Sequence, residues 1–524
     1  MNRIVLHSSL LLASLALTAC AGHPPSRPAA DPVASTPVPF VAPSRLSAGA
    51  PEGTETPAGW FRAGREAAIA RGADRAKARN LILFIGDGMG PTTVAAARIL
   101  QGQRQGASGE ETQLSFERFP ALALSKTYNT DLQTPDSAGT MTAMASGLKT
   151  LAGVLGVDQT IRRGRCENIE AASHPSLFDF ADGADMASAL VTTTRITHAT
   201  PAALYAHSPD RNWEGDAAMP ESARAAGCTD LAAQLIAHQD HGGPQIVLGG
   251  GSANFIGPDV HPVGRRADGR NLIEEWTQRH PGGHFVLKRE ELLALPADGQ
   301  RVFGLFTPSH MSYELDRENG HAADEPGLAE MTRFSLQRLQ ADGRPYLLVV
   351  EGGRIDHAHH AGMAQRALVD TIALAEAVAV ADELTSADDT LIVVTADHSH
   401  AFNFVGYPPR GNDILGLVRD FNGQPLRDLG GRPYTTLSYA NGPGAGQPTL
   451  EGDSDTRHAD FRQPALFALE SETHGGEDVA VYARGPGSEA VRGSIEQHVI
   501  FHILTQAQPT LRAAVTRRLE ALAP

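Results

Sequence analysis

Three apolar runs in this chain stop at an acid. Asn80-Leu-Ile-Leu-Phe-Ile-Gly86 leads into Asp87, Tyr346-Leu-Leu-Val-Val350 into Glu351, and Leu391-Ile-Val-Val-Thr-Ala396 into Asp397 and His398. Short runs without polar alternation read as strands covered on both faces, which is the pattern of a parallel sheet. Two more β-type runs, Ala187 to Val191 and Val479 to Tyr482, alternate with helical stretches at Ser137 to Leu148 and Ala364 to Leu384. The expected fold is α/β, a mainly parallel central sheet with helices on both faces. In such sheets ligands sit at the carboxyl ends of the strands, so the three acids should converge on one crevice. Unpaired carboxylates gathered there need cations.

The 524 residues carry a formal charge of -16 and no cluster of Lys and Arg, which argues against nucleic acid as a partner. Arg3 precedes an apolar run from Ile4 to Leu17 that is too short to span a bilayer comfortably, and Leu17-Thr-Ala-Cys20 resembles a bacterial lipobox. That reading makes residues 1–19 a signal peptide and Cys20 the lipidated first residue. It makes 20–59 a Pro- and Ala-rich membrane tether, and implies an exported lipoprotein of the outer membrane, periplasm or cell surface. The folded body then covers 60–524, with a loop-rich insertion over about 402–469 where Gly, Pro, Asp and Asn gather and periodicity fades. No internal repeat is apparent. Cys166 and Cys228 are either bridged or two buried free thiols.

Asp356 and His360 stand at i and i+4 and face one direction on a helix, and His474 is a distant third candidate. His and Asp without thiolate suit Zn²⁺ in an open site, whereas Asp87 and Glu351 with a hydroxyl suit Mg²⁺. Ser137 lies at the expected N-terminus of a helix, where free N–H groups favour an anion; beside metals its hydroxyl can serve as a nucleophile.

With these residues in place the sequence resembles the alkaline phosphatase family. The match is carried by Ile85-Gly-Asp-Gly-Met-Gly90, Asp136-Ser-Ala138, His198-Ala-Thr-Pro-Ala202, Glu351 to His360, Thr395-Ala-Asp-His398 and Thr473-His-Gly475, in the family's order from about Asn80 to Gly485. The resemblance implies Ser137 as phosphate acceptor and Arg211 as a fork on two phosphate oxygens. It implies one zinc on Asp356, His360 and His474, a second on Asp87, Asp397 and His398, and a magnesium on Asp87, Thr200 and Glu351. Asp136 would orient Arg211, while His198 and His357 would tune the magnesium site and the phosphate without ligating. The motif wording is nearer to the animal-type enzymes, which the Cys166 and Cys228 pair also fits. A homodimer and hydrolysis of small phosphate monoesters follow from the same resemblance. Thr307 stands where the animal enzymes carry an acid of a calcium site, with Glu325 as a stand-in for another, so calcium is not expected. A phosphodiesterase of the same superfamily and a non-catalytic surface lipoprotein that binds phosphate or cations are the alternatives.

Overall fold

The computed structural model describes residues 55–240, 242–446 and 456–521. The segments expected to be a signal peptide and a tether, with Cys20, lie outside the described residues up to residue 54. The first described helix, Pro57–Ala70, begins just before Trp60, with Thr56 Oγ1 capping the N–H of Gly59.

Ten strands form the main sheet: β1 (Asn80–Gly86), β2 (Ala121–Lys126), β3 (Ala187–Arg195), β4 (Ile246–Gly250), β5 (His284–Val286), β6 (Val302–Leu305), β7 (Tyr346–Gly352), β8 (Thr390–Ala396), β9 (Val479–Arg484) and β10 (Arg492–Glu496). Their order is β10-β2-β9-β8-β1-β7-β3-β4-β6-β5. Only β9 runs against its neighbours; every other pairing is parallel. Glu351 belongs to β7 itself and does not follow it.

β1, β7 and β8 are buried along their whole length, and successive residues feed two separate cores. Leu81, Leu83, Ile85, Leu347, Val349, Leu391 and Val393 pack into one; Ile82, Phe84, Leu348, Val350, Ile392 and Val394 pack into the other. That is why these strands read as unbroken apolar runs: each face is covered, as the period of two requires. The helix Ala364–Leu384 covers the second face and Val499–Ala507 the first.

The insertion carries structure of its own, a three-stranded sheet of Phe402–Phe404, Leu437–Gly442 and Ala465–Ala468. It also holds a short tandem repeat, contrary to the expectation from the sequence. Arg419-Asp-Phe-Asn-Gly-Gln-Pro-Leu426 is followed by Arg427-Asp-Leu-Gly-Gly-Arg-Pro-Tyr434. Each copy closes the same turn. Asp420 Oδ1 accepts the N–H groups of Asn422 and Gln424, and Asp428 Oδ1 those of Gly430 and Arg432. Cys166 and Cys228 are joined as a disulfide.

Candidate active site

The central position of β1 assembles the crevice. Gly86 pairs with Ala396 of β8 and Ile85 with Glu351 of β7, so Asp87 and Asp397 leave neighbouring strands side by side while Glu351 shares the face of Asp87. β3 adds two residues just beyond its end, His198 at the start of the helix Ala199–Ala202 and Thr200 within it. A two-residue strand, His474–Gly475, pairs antiparallel with Ser399–His400 and brings His474 back from 76 residues beyond His398 by sequence number.

His360, His474 and Asp356 meet as three acceptors. His360 Nδ1 donates to the Glu472 carbonyl at 2.6 Å and His474 Nδ1 to the Pro135 carbonyl at 2.7 Å, so each ring carries its proton on Nδ1. Their Nε2 lone pairs then point at each other across 3.1 Å and at Asp356 Oδ1 across 3.4 Å each. With both rings neutral, no hydrogen bond can relieve that contact. A tetrahedral zinc with Zn–N distances of about 2.0–2.1 Å would set its ligand atoms about 3.3 Å apart, which is the spacing seen. Burial opposes ionisation of Asp356, but the hydrogen bond from the positively charged His400 outweighs it and holds the carboxyl well below the usual range.

Asp87, Asp397 and His398 form a second set, fully buried. His398 Nδ1 faces the Ser399 carbonyl at 3.2 Å, leaving Nε2 directed at Asp87 Oδ1 and Asp397 Oδ2, each at 3.4 Å. Ser137 Oγ completes the group, 3.1 Å from His398 Nε2 and 3.5 Å from Asp87 Oδ1. Burial, then the charges of Asp397, Asp356 and Glu351, raise the Asp87 pKa well above its ordinary value. Such repulsion is what a divalent cation relieves.

The third set is defined by orphans. Asp87 Oδ2, Glu351 Oε1 and Thr200 Oγ1 are buried side-chain oxygens without a hydrogen-bond partner. Burial raises the Glu351 pKa to about 7, against the hydroxyls of Thr192 and Thr194, which bind its other oxygen, and that of Thr200, which lies near it without a well-formed hydrogen bond. Three unsatisfied hard oxygens suit Mg²⁺. His198 also comes within reach of Asp87 and Glu351, and its Nδ1 has no partner.

Ser137 opens the helix Ser137–Ser146, with Asp136 as N-cap. The two oxygens of Asp136 divide their work. Oδ1 accepts the N–H groups of Gly139 at 3.1 Å and Gly153 at 2.9 Å; Oδ2 accepts Arg211 Nη1 at 3.2 Å. Arg211 Nη2 meets His198 Nε2 at 3.1 Å. Burial and then the Arg211 charge push the His198 pKa well below its ordinary value, so the ring is neutral and can accept. His357 packs its ring 5.2 Å from that of His198.

One residue at this site, His400, escapes the motif reading. His400 lies between carboxylates, its Nδ1 2.5 Å from Glu472 Oε2 and its Nε2 2.9 Å from Asp356 Oδ1. Burial alone would lower its pKa, but Glu472 and Asp356 raise it to about 10. The available signal was alternation: in Asp397-His-Ser-His400 the two histidines fall on one face of an extended chain. Of the residues weighed for calcium, Glu325 accepts Ser312 N–H at 2.7 Å and Ser312 Oγ at 2.8 Å, and Thr307 Oγ1 donates to the Ser309 carbonyl at 2.8 Å.

A mainly parallel sheet whose strand ends present lone-pair clusters around a serine at a helix N-terminus defines a metal-dependent enzyme of the α/β class. The family model described as alkaline phosphatase matches residues 78–510, and the chain belongs to that family. It is 44% identical over 448 residues to the tissue-nonspecific alkaline phosphatase of Gallus gallus, covering 82% of this chain and 84% of the relative. To the tissue-nonspecific isozyme of Homo sapiens it is 42% identical over 449 residues, covering 82% and 83%. The crystal structure of Thermus thermophilus alkaline phosphatase superposes with a TM-score of 0.61 at 25% identity, covering 85% of this chain and 96% of that one. The animal-type character read from the motifs holds, and the protein is an alkaline phosphatase enzyme that binds metal.

Proposed function

We propose that the protein hydrolyses phosphate monoesters by double displacement through a phosphoserine on Ser137, with two Zn²⁺ and one Mg²⁺ as resident ions. The observation that carries this is the position of Ser137 Oγ, 3.1 Å from an imidazole lone pair that already faces two carboxylates. Asp356, His360 and His474 would hold one zinc, Asp87, Asp397 and His398 the other, and Asp87, Thr200 and Glu351 the magnesium. When bound, these ions supply the positive charge that favours a deprotonated hydroxyl and stabilises a departing alkoxide. Ser137 Oγ attacks phosphorus from the helix N-terminus, where free N–H groups and the dipole favour the dianion. The bond to the leaving oxygen breaks, Arg211 holds two of the phosphate oxygens, and Asp136 and His198 fix the rotation of its guanidinium. Water then attacks the phosphoserine, Ser137 is released and inorganic phosphate leaves.

The same reading places the enzyme as an exported, lipid-anchored homodimer. Leu17-Thr-Ala-Cys20 supports the anchor, and the exposed Tyr407, Leu466 and Phe467 of the insertion support a second copy as neighbour. Side-by-side assay of an aryl phosphate monoester and the matching diester, with metal-reconstituted protein at alkaline pH, tests the reaction. A strong monoester preference abolished by chelator is expected; a diester preference would overturn it.

A further inference from the structure

Three residues after Arg211 the chain places Glu214, whose side chain is 16% exposed and collects donors from two separate stretches. Arg195, the last residue of β3, forks onto it, Nε to Oε2 at 2.7 Å and Nη2 to Oε1 at 2.5 Å. Thr197 Oγ1 donates to Oε2 at 2.6 Å, and Asn254 Nδ2 reaches the same oxygen at 3.1 Å and Thr197 Oγ1 at 2.9 Å. Such a bidentate, multiply bonded carboxylate fixes geometry far better than a surface ion pair does.

What it fixes is a turn and a strand of chain on opposite sides of one guanidinium. Arg195 and Thr197 belong to the turn that delivers His198, whose N–H donates to the Arg195 carbonyl at 2.8 Å. His198 Nε2 in turn meets Arg211 Nη2 at 3.1 Å. The contacts therefore close a ring: Glu214 to Arg195, along the turn to His198, across to Arg211, and back along the chain to Glu214. His310 braces the turn from behind, accepting the Arg195 N–H on Nδ1 at 3.2 Å with its ring 4.0 Å from His357 and 5.3 Å from His198. None of the side chains that bond Glu214 is a proposed metal ligand.

We infer that Glu214 is a positioning residue for phosphate recognition: its carboxylate sets the separation between the His198 turn and the Arg211 segment, so that His198 and Asp136 grip the guanidinium from two sides. The inference rests on the phosphate-binding role proposed for Arg211. A carboxylate that merely stabilised the fold would act on melting temperature and not through Arg211.

A double-mutant cycle separates the two. Metal-reconstituted full-length wild type, Glu214→Gln, Arg211→Ala and the double variant are compared for inorganic phosphate affinity by calorimetry and for aryl phosphate turnover. Glu214→Gln is expected to weaken phosphate about 10-fold, the scale of a sub-ångström misplacement, and to have no effect in the Arg211→Ala background. Glu214→Asp should recover part of the loss. Effects that multiply, or a Glu214→Gln protein that binds phosphate like wild type, overturn the inference. Should Glu214→Gln fail to fold, Thr197→Val removes one donor and is read in the same cycle, with a loss that again must vanish without Arg211. Wild type that binds phosphate but turns over no ester sinks the proposed reaction and leaves the cycle readable; wild type that binds no phosphate sinks both.

Discussion

The Nε2 atoms of His360 and His474 face each other at 3.1 Å while each ring's Nδ1 donates to a main-chain carbonyl. Two lone pairs held in opposition are unstable without a cation between them, and the fold supplies none of its own. Chelation should therefore cost stability as well as activity. A cation held at about 1,000 times its Kd stabilises a fold by about 4 kcal/mol, and a melting temperature that falls with chelator and recovers with added Zn²⁺ is expected. His360→Ala or His474→Ala should weaken zinc by more than about 100-fold, beyond what loss of an outer contact does. Competition with a coloured chelator reads this, and unchanged zinc retention in both variants would disprove the site.

Ser137→Ala should lower monoester turnover by about 10³-fold or more, because the nucleophile and not the binding is lost. Arg211 and Asp136 keep their contact in that variant, so inorganic phosphate should still bind and protect against heat. Stoichiometric labelling of Ser137→Ala by a phosphate donor would remove Ser137 from the mechanism.

Much of this site was legible because parallel sheets order it. Asp87, Glu351 and Asp397 announce themselves at the ends of buried runs, and the register of β1 with β7 and β8 does the rest. Ala364–Leu384 was read to its ends, since a long Ala-rich run free of Gly and Pro favours helix throughout, although Ala367 to Ala375 are buried on every side. Residues that act through space were not legible. His400 sits among motif histidines, yet nothing in the chain says that Glu472 and Asp356 flank it. Glu214 has no periodic or motif signal, and its partners Arg195, Thr197 and Asn254 come from distant stretches. The Arg419–Tyr434 repeat was hidden for another reason: its two copies share only Arg, Asp, Gly and Pro, and the last three blend into a turn-rich background.

Lys149 offers a test of sign. Its Nζ is buried 2.9 Å from Glu496 Oε2 and bonds the carbonyls of Lys126 at 3.3 Å and Tyr128 at 3.1 Å. Burial lowers its pKa from 10.5 to about 8, against the pull of Glu496. Between those values the unfolded chain binds more protons than the folded one at this position, so stability from this group rises with pH. Across that window the gain is about 3 kcal/mol. Lys149→Met, which cannot titrate, should therefore be less destabilising relative to wild type at pH 7 than at pH 10. Denaturant melts at the two pH values check it, and a difference of the opposite sign would show that the Glu496 pair outweighs burial.

Gly88 follows Asp87 with φ of 69°, and its N–H donates to Asp397 Oδ1 at 3.0 Å. An added Cβ would lie 2.4 Å from both Cδ2 and Nε2 of His400, the ring that holds Asp356. Gly88→Ala thus carries two separate penalties. The left-handed backbone alone costs about 1–2 kcal/mol for an L-residue. The clash must also move either His400 or the Asp87 turn, and both lead to metal ligands. Gly423 isolates the first penalty: its φ is 77° and nothing lies within 4 Å of its added Cβ. Gly423→Ala should lose only the backbone term and keep wild-type zinc affinity. Gly88→Ala should lose more stability and weaken zinc at least 10-fold, the lower end for disturbing a ligand's support. Equal losses in the two variants, with zinc affinity intact in both, would mean that His400 can shift without disturbing Asp356, and that the cradle around the first metal set is softer than its buried contacts imply.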